Sequence, residues 1–138
     1  MNQEMVIFTR TFDFVDWLIP RTQDFPRSQR FVTTKRLQDA ALDFYERILE
    51  ANNRKGQERL ERLRQADAAL DKVRHYLRLA SRWGWLSKGQ YRHAAAMAAE
   101  LGRLLGGWIR QTIKQIPSAD RGGGPEGAPG GAWGRVQQ

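Results

Sequence analysis

Residues 94–109, AAAMAAELGRLLGGWI, constrain this chain more than any other stretch. At helical spacing Ala94, Ala98, Gly102 and Gly106 fall four apart and lay a smooth stripe of small residues along one side. Beside it, Leu101, Leu105, Trp108 and Thr112 alternate steps of four and three, the apolar seam by which one helix lies along another. A glycine inside a helix costs about 1 kcal/mol relative to alanine. Gly102, Gly106 and Gly107 are therefore tolerated where another backbone comes close, and this segment is expected to be the central, most closely packed helix. The competing reading is a helix that ends near Gly106, because glycine is a common C-terminal cap. Trp108, Ile109, Ile113 and Ile116 carry the pattern past the glycines and favour a through-going helix.

Three further helices precede it. In the first, Phe8, Phe12, Val15 and Ile19 make one face, while Phe14, Trp17 and Leu18 fall on the opposite side. A helix apolar on two sides is buried on two sides. One face enters its own bundle; Phe14, Trp17 and Leu18 are assigned to contact with another copy of the chain. Pro20 is expected to kink or end this helix. Asp24, Phe25, Pro26 and Arg27 then read as a turn, with Ser28 as N-cap of the next helix. That second helix is expected over residues 29–53, on the seam Thr34, Leu37, Ala41, Phe44, Ile48 and Ala51. The third is expected over residues 57–83, on Leu63, Ala66, Leu70, Val73, Leu77 and Ala80. Asp43–Arg47, Glu50–Arg54 and Glu58–Arg62 are acid-first pairs at four, each worth about 0.2–0.5 kcal/mol on a helix surface. Trp83 and Trp85 read as closing one end of the bundle, although such aromatics can also stack on bases. Ser87 reads as the cap of the fourth helix.

Four helices with short connections and no strand-like alternation predict an all-α, antiparallel up-and-down four-helix bundle over residues 1–116. Residues 117–138 are Gly/Pro-rich and are expected to form a flexible tail. Trp133 is an unusual residue for a linker and reads as a docking anchor.

Charge narrows the function. The net charge is +8, carried by 18 arginines and 5 lysines against 15 acids. Residues 27–116 hold nineteen of the basic groups and nine of the acids, so the helical body is the basic part. The arginine fork suits bidentate contact with phosphate or carboxylate. A polyanion or an acidic protein surface is the expected partner; the competing explanation is a charged surface laced with ion pairs. On the third helix Arg74, Arg78 and Arg82 stand four apart, a mildly destabilising row of like charges that makes sense facing anions. Asp71 can reach Arg74 or His75 but is too little to neutralise the row. Arg103, Arg110 and Lys114 share a face of the fourth helix, opposite its glycine stripe or nearly so.

Catalytic chemistry finds little support. The chain has no cysteine, hence no disulfide, thiolate nucleophile or cysteine metal site. His75 and His93 stand alone on different helices, without the Glu/His spacing of a metal-binding bundle, so no metal and no cofactor are expected. Gly122–Gly124 is followed by Pro125 rather than by a lysine-bearing helix, which does not make a phosphate loop. Ser28 and Ser87 have no His/Asp partners beside them. An enzyme is not expected. There is no signal-peptide or membrane-span pattern, and every amphipathic face has a helical partner, so the expected location is the cytoplasm and no membrane partner is expected.

Three segments in order carry a resemblance: Phe25-Pro26-Arg27; Leu70-Asp71-Lys72-Val73-Arg74-His75-Tyr76-Leu77-Arg78-Leu79-Ala80; and Glu100-Leu101-Gly102-Arg103-Leu104-Leu105-Gly106-Gly107-Trp108-Ile109. The chain resembles the accessory variability determinants of diversity-generating retroelements over roughly residues 12–116. These belong to a wider set of four-helix-bundle proteins that includes those encoded in ribosomal-RNA intervening sequences. The resemblance implies a non-enzymatic homopentamer, a basic barrel that binds the reverse transcriptase and its template RNA and cDNA during mutagenic retrohoming. It places Arg74 and Arg78 on basic positions associated with reverse-transcriptase binding. Histidine at position 75, where the family has an aromatic, and the Gly-rich tail are departures. The alternative is a bundle protein of the intervening-sequence type, structural or RNA-associated, without a polymerase partner.

Overall fold

Connections of three and five residues follow the second and third helices and force the chain to reverse direction there, while eleven residues link the first helix to the second. In the computed structural model, which describes residues 3–117, the helices are α1 (Gln3–Arg21), α2 (Thr33–Asn52), α3 (Gly56–Arg82) and α4 (Lys88–Gln115). Gly56 and Gly84 sit at the two tight reversals with φ of 59° and 80°, a backbone region that glycine enters without a Cβ penalty. The helices pack in a ring, each against its two neighbours in sequence order, with α4 closing on α1. The most extensive pairing is α2 with α3, and α1 is the most lightly held element. Centrality therefore belongs to α3 rather than to α4.

The seams read from spacing are the core. Thr34, Leu37, Ala41, Phe44, Ile48 and Ala51 of α2 are buried, as are Leu63, Ala66, Leu70, Val73, Leu77 and Ala80 of α3. Ala94, Ala98, Leu101, Leu105, Trp108 and Thr112 of α4 join them. α4 runs unbroken through Gly102, Gly106 and Gly107 to Gln115, which excludes an end at Gly106. Trp108 packs edge-on against Phe8 with ring centres 5.8 Å apart, and Arg59 lies 5.6 Å over its ring. The buried indole Nε1 of Trp108 has no hydrogen-bond partner among the described residues.

Local chemistry explains the ends. Ser87 accepts from the Gln90 N–H while the Gln90 side chain accepts from the Ser87 N–H, a reciprocal cap that starts α4. Arg59 of α3 donates from Nε to the Ala51 carbonyl at 3.0 Å and from Nη2 to the Asn52 carbonyl at 3.5 Å, so a side chain satisfies the last turn of α2. Pro20 lies in the final turn of α1, which ends at Arg21.

Four expectations are corrected. Phe14 and Leu18 are 1% and 0% exposed, and Trp17 packs partly buried against the same core. Phe14 and Leu18 cannot meet another copy, and Trp17 keeps only part of its surface free; the outward side of α1 carries Phe12, 57% exposed, with Val15 and Ile19 half-buried, while Phe8 turns onto Trp108. Both faces are apolar, and spacing alone does not say which one turns inward. Secondly, Ser28 does not cap α2. Residues Arg27–Gln29 form a short 3₁₀ turn and α2 begins at Thr33, preceded by Val32 without a side-chain cap. Thirdly, Arg47 and Arg62 both turn to Glu50, at 2.9 and 3.1 Å, instead of to Asp43 and Glu58. Arg54 reaches the Glu50 main-chain carbonyl. The carboxylate that bridges α2 to α3 wins over the surface pairs because it is held by two helices. Finally, Gly102 admits a side chain of α3 rather than a second backbone. The Gly-rich tail from residue 118 and Trp133 lie outside the described residues.

Candidate macromolecule-binding surface

Burial of Leu70, Val73, Leu77 and Ala80 rotates the intervening positions of α3 outward, and Arg74, Arg78 and Arg82 are all exposed. Among the described residues the row meets no carboxylate within ion-pairing distance, and Asp71, which spacing put in reach of Arg74 or His75, makes no ion pair there. Asp39 holds Lys35 at 2.7 Å, Glu50 holds Arg47 and Arg62, and Glu100 holds Arg10 at 3.1 Å and Arg103 at 3.5 Å. Among the described residues the charge of the α3 row has no compensating acid.

Geometry adds to charge. The Arg74 guanidinium crosses to α4 and rests on Gly102, where a built Cβ would overlap Nη2 and come 3.4 Å from Cζ. Leu70 Cδ2 stands 3.6 Å from the same point. A cleft of about 200 Å³ opens beside it, lined by Arg74, Leu77, Arg78, Tyr91 and Ala95. Its wall includes the buried Leu77, and two arginines with fixed charge stand at it. Arginine forks beside an apolar wall suit an oxyanion such as a carboxylate or a phosphate. A second hollow of about 300 Å³ continues along α3 between His75, Arg78, Leu79 and Arg82.

The structure gathers Arg74, Arg78 and Arg82 but not the whole of the assigned set. Arg103 is compensated by Glu100. Arg110 leans back over Gly106, its Nη1 3.4 Å from the position of a Cβ there, so this basic face borders the glycine stripe instead of opposing it. Lys114 is exposed twelve residues beyond Gly102, about 18 Å along the axis at 1.5 Å per residue. The Arg110 guanidinium, over Gly106, therefore lies one turn from the Gly102 seat of Arg74, and Lys114 lies apart from it. Tyr91 belongs to the site and was not read from the sequence. It stands one turn before Ala95 on the small-residue side of α4, and that spacing was the available signal.

At the α3–α4 turn Trp85 packs on buried Phe25 with ring centres 5.3 Å apart and closes the bundle end. Trp83 tilts on Trp85 at 5.0 Å and remains 49% exposed. His93 packs on Trp17 at 4.9 Å, while His75 is on α3. Among the described residues no three His, Asp or Glu side chains gather as a metal would need, and no helix is long and apolar enough to cross a membrane.

Comparison with known proteins adds two findings. A family profile described as bAvd-like matches residues 5–112, almost all of the four helices. The crystal structure of a protein of unknown function from the S23 ribosomal protein family of Bacteroides thetaiotaomicron is similar, with a TM-score of 0.72 at 18% sequence identity. The likeness covers 79% of this chain and 99% of that chain. At that identity it speaks for the fold. No curated protein matches.

Proposed function

Because this chain belongs to the bAvd-like family, that of the accessory variability determinants of diversity-generating retroelements, we propose that it is a non-catalytic scaffold for the retroelement reverse transcriptase. It works as a homopentamer whose basic surface also holds template RNA and cDNA during mutagenic cDNA synthesis and retrohoming. Its place of action is the cytoplasm.

The observation that carries this reading is the uncompensated row of Arg74, Arg78 and Arg82, with Arg74 seated on Gly102. Exposed arginines without neighbouring acids attract a polyanion over distance and bind its oxygens in pairs at contact. The exposed Phe12 and its half-buried neighbours on α1 supply the apolar area that an assembly of copies covers.

The deciding experiment co-purifies the chain with the reverse transcriptase of its own element. Arg74→Ala with Arg78→Ala is expected to leave helicity intact and weaken association at least tenfold; undiminished co-purification removes these residues from the interface. Retention of RNA with no polymerase association would favour the alternative, a bundle protein of the ribosomal-RNA intervening-sequence type.

A further inference from the structure

The groove between α1 and α2 lies across the ring of helices from the Arg74 cleft. It contains a cleft of about 310 Å³ whose lining includes Thr22, Phe25, Arg27, Arg30, Thr34 and Gln38. Arg27 and Arg30 are exposed and form no ion pair among the described residues; Arg30 lies over the ring of Phe31 at 5.6 Å. Asp24, the acid of the same connection, is not part of the lining and pairs with neither.

Three independent features converge there. Thr34 is 4% exposed, lines the cleft, and its Oγ1 has no hydrogen-bond partner among the described residues. Its neighbours are satisfied: Thr22 Oγ1 donates to the Ile19 carbonyl at 2.6 Å and accepts from Gln38 Nε2 at 2.8 Å, and Thr33 Oγ1 donates to Gln29 at 2.9 Å. A buried hydroxyl left alone in a well-satisfied polar cluster calls for a partner from outside. Thr34 also belongs to the opening turn of a twenty-residue helix. No side chain caps that turn and no acid stands in it, so the positive end of the helix dipole is unanswered. Phe31, 77% exposed beside Arg30, offers a ring face to a base.

We infer that this cleft is a phosphate site for single-stranded nucleic acid, with one phosphate held by Arg27, Arg30 and the Thr34 hydroxyl at the start of α2 and an adjoining base on Phe31. A backbone phosphate meets the arginine forks from solvent, while the hydroxyl and the helix end stand behind it. The site uses none of the residues of the Arg74 surface and is read separately from it.

The test is fluorescence titration of the full-length protein with a labelled oligouridylate, alone and in the Arg74→Ala, Arg78→Ala background. Arg27→Ala with Arg30→Ala should weaken binding about tenfold in both backgrounds. It should also flatten the logarithmic salt dependence by about 0.7, the value for one phosphate of a single strand. Thr34→Val keeps the side-chain shape and removes the hydroxyl; it should weaken binding several-fold with the melting temperature unchanged or raised. Unchanged affinity in the double arginine variant overturns the proposal, as does poly-glutamate competing as well as the oligonucleotide. Inorganic phosphate shifting the Thr34 amide resonance, with no oligonucleotide effect, would identify a free-phosphate site and overturn the assignment to a strand.

Discussion

The guanidinium of Arg74, from α3, occupies the space above Gly102 of α4 that a Cβ would fill. A small residue on one helix thereby fixes the aim of a charge on another.

Gly102→Ala separates stability from binding. The atom in the way is the far end of a flexible side chain, so the helix gains up to about 1 kcal/mol from propensity while Arg74 is pushed off its seat. Thermal denaturation should show an equal or higher melting temperature. Association with the reverse transcriptase should fall toward that of Arg74→Ala.

Charge placed on the two sides of α1 should have opposite consequences. Phe12→Asp alters a residue 57% exposed and should leave a folded subunit of reduced mass in sedimentation. Phe14→Asp buries a carboxylate without a partner and should unfold the chain, at a cost of several kcal/mol. An unaltered oligomer with Phe12→Asp would exclude this face from assembly.

Arg59→Ala removes the donor to the Ala51 and Asn52 carbonyls together with the cation over Trp108. Urea denaturation should report a loss of about 1–3 kcal/mol, the range for a charged hydrogen bond plus a cation–π contact. A loss under half that would mean water satisfies the α2 terminus equally well.

Ser87→Ala breaks the reciprocal cap at the start of α4 and should destabilise by about 1 kcal/mol. Because the capped turn leads into Tyr91, polyanion affinity measured at saturating stability should stay unchanged; a parallel loss of binding would tie the turn to the cleft.

Much of this was legible in the sequence, for identifiable reasons. The seams of α2, α3 and α4 contrast sharply with charged intervening positions, so spacing alone assigns Leu70 inward and Arg74 outward. In α1 that contrast fails: Phe14 and Phe12 are equally apolar, and only packing of the core, which buries Phe14 and leaves Phe12 exposed, decides between them. The start of α2 was misplaced because Ser28 is a good cap by type, whereas the chain there spends its residues on a 3₁₀ turn that lodges Phe25 against Trp85. Ion-pair partners were misread for a similar reason. Spacing along one helix offered Arg62 to Glu58, and only the neighbouring helix could offer it Glu50. The arginine row of the candidate site was visible as a pattern, but its Gly102 seat and Tyr91 wall come from α4 and needed three dimensions.

The light hold of α2 and α4 on α1 reaches beyond the single subunit. A helix retained by few internal contacts, with Phe12 on its outer side, draws the remainder of its retention from whatever covers it. Where a second copy of the chain supplies that cover, folding and assembly are linked by mass action, and the melting temperature should then rise with protein concentration.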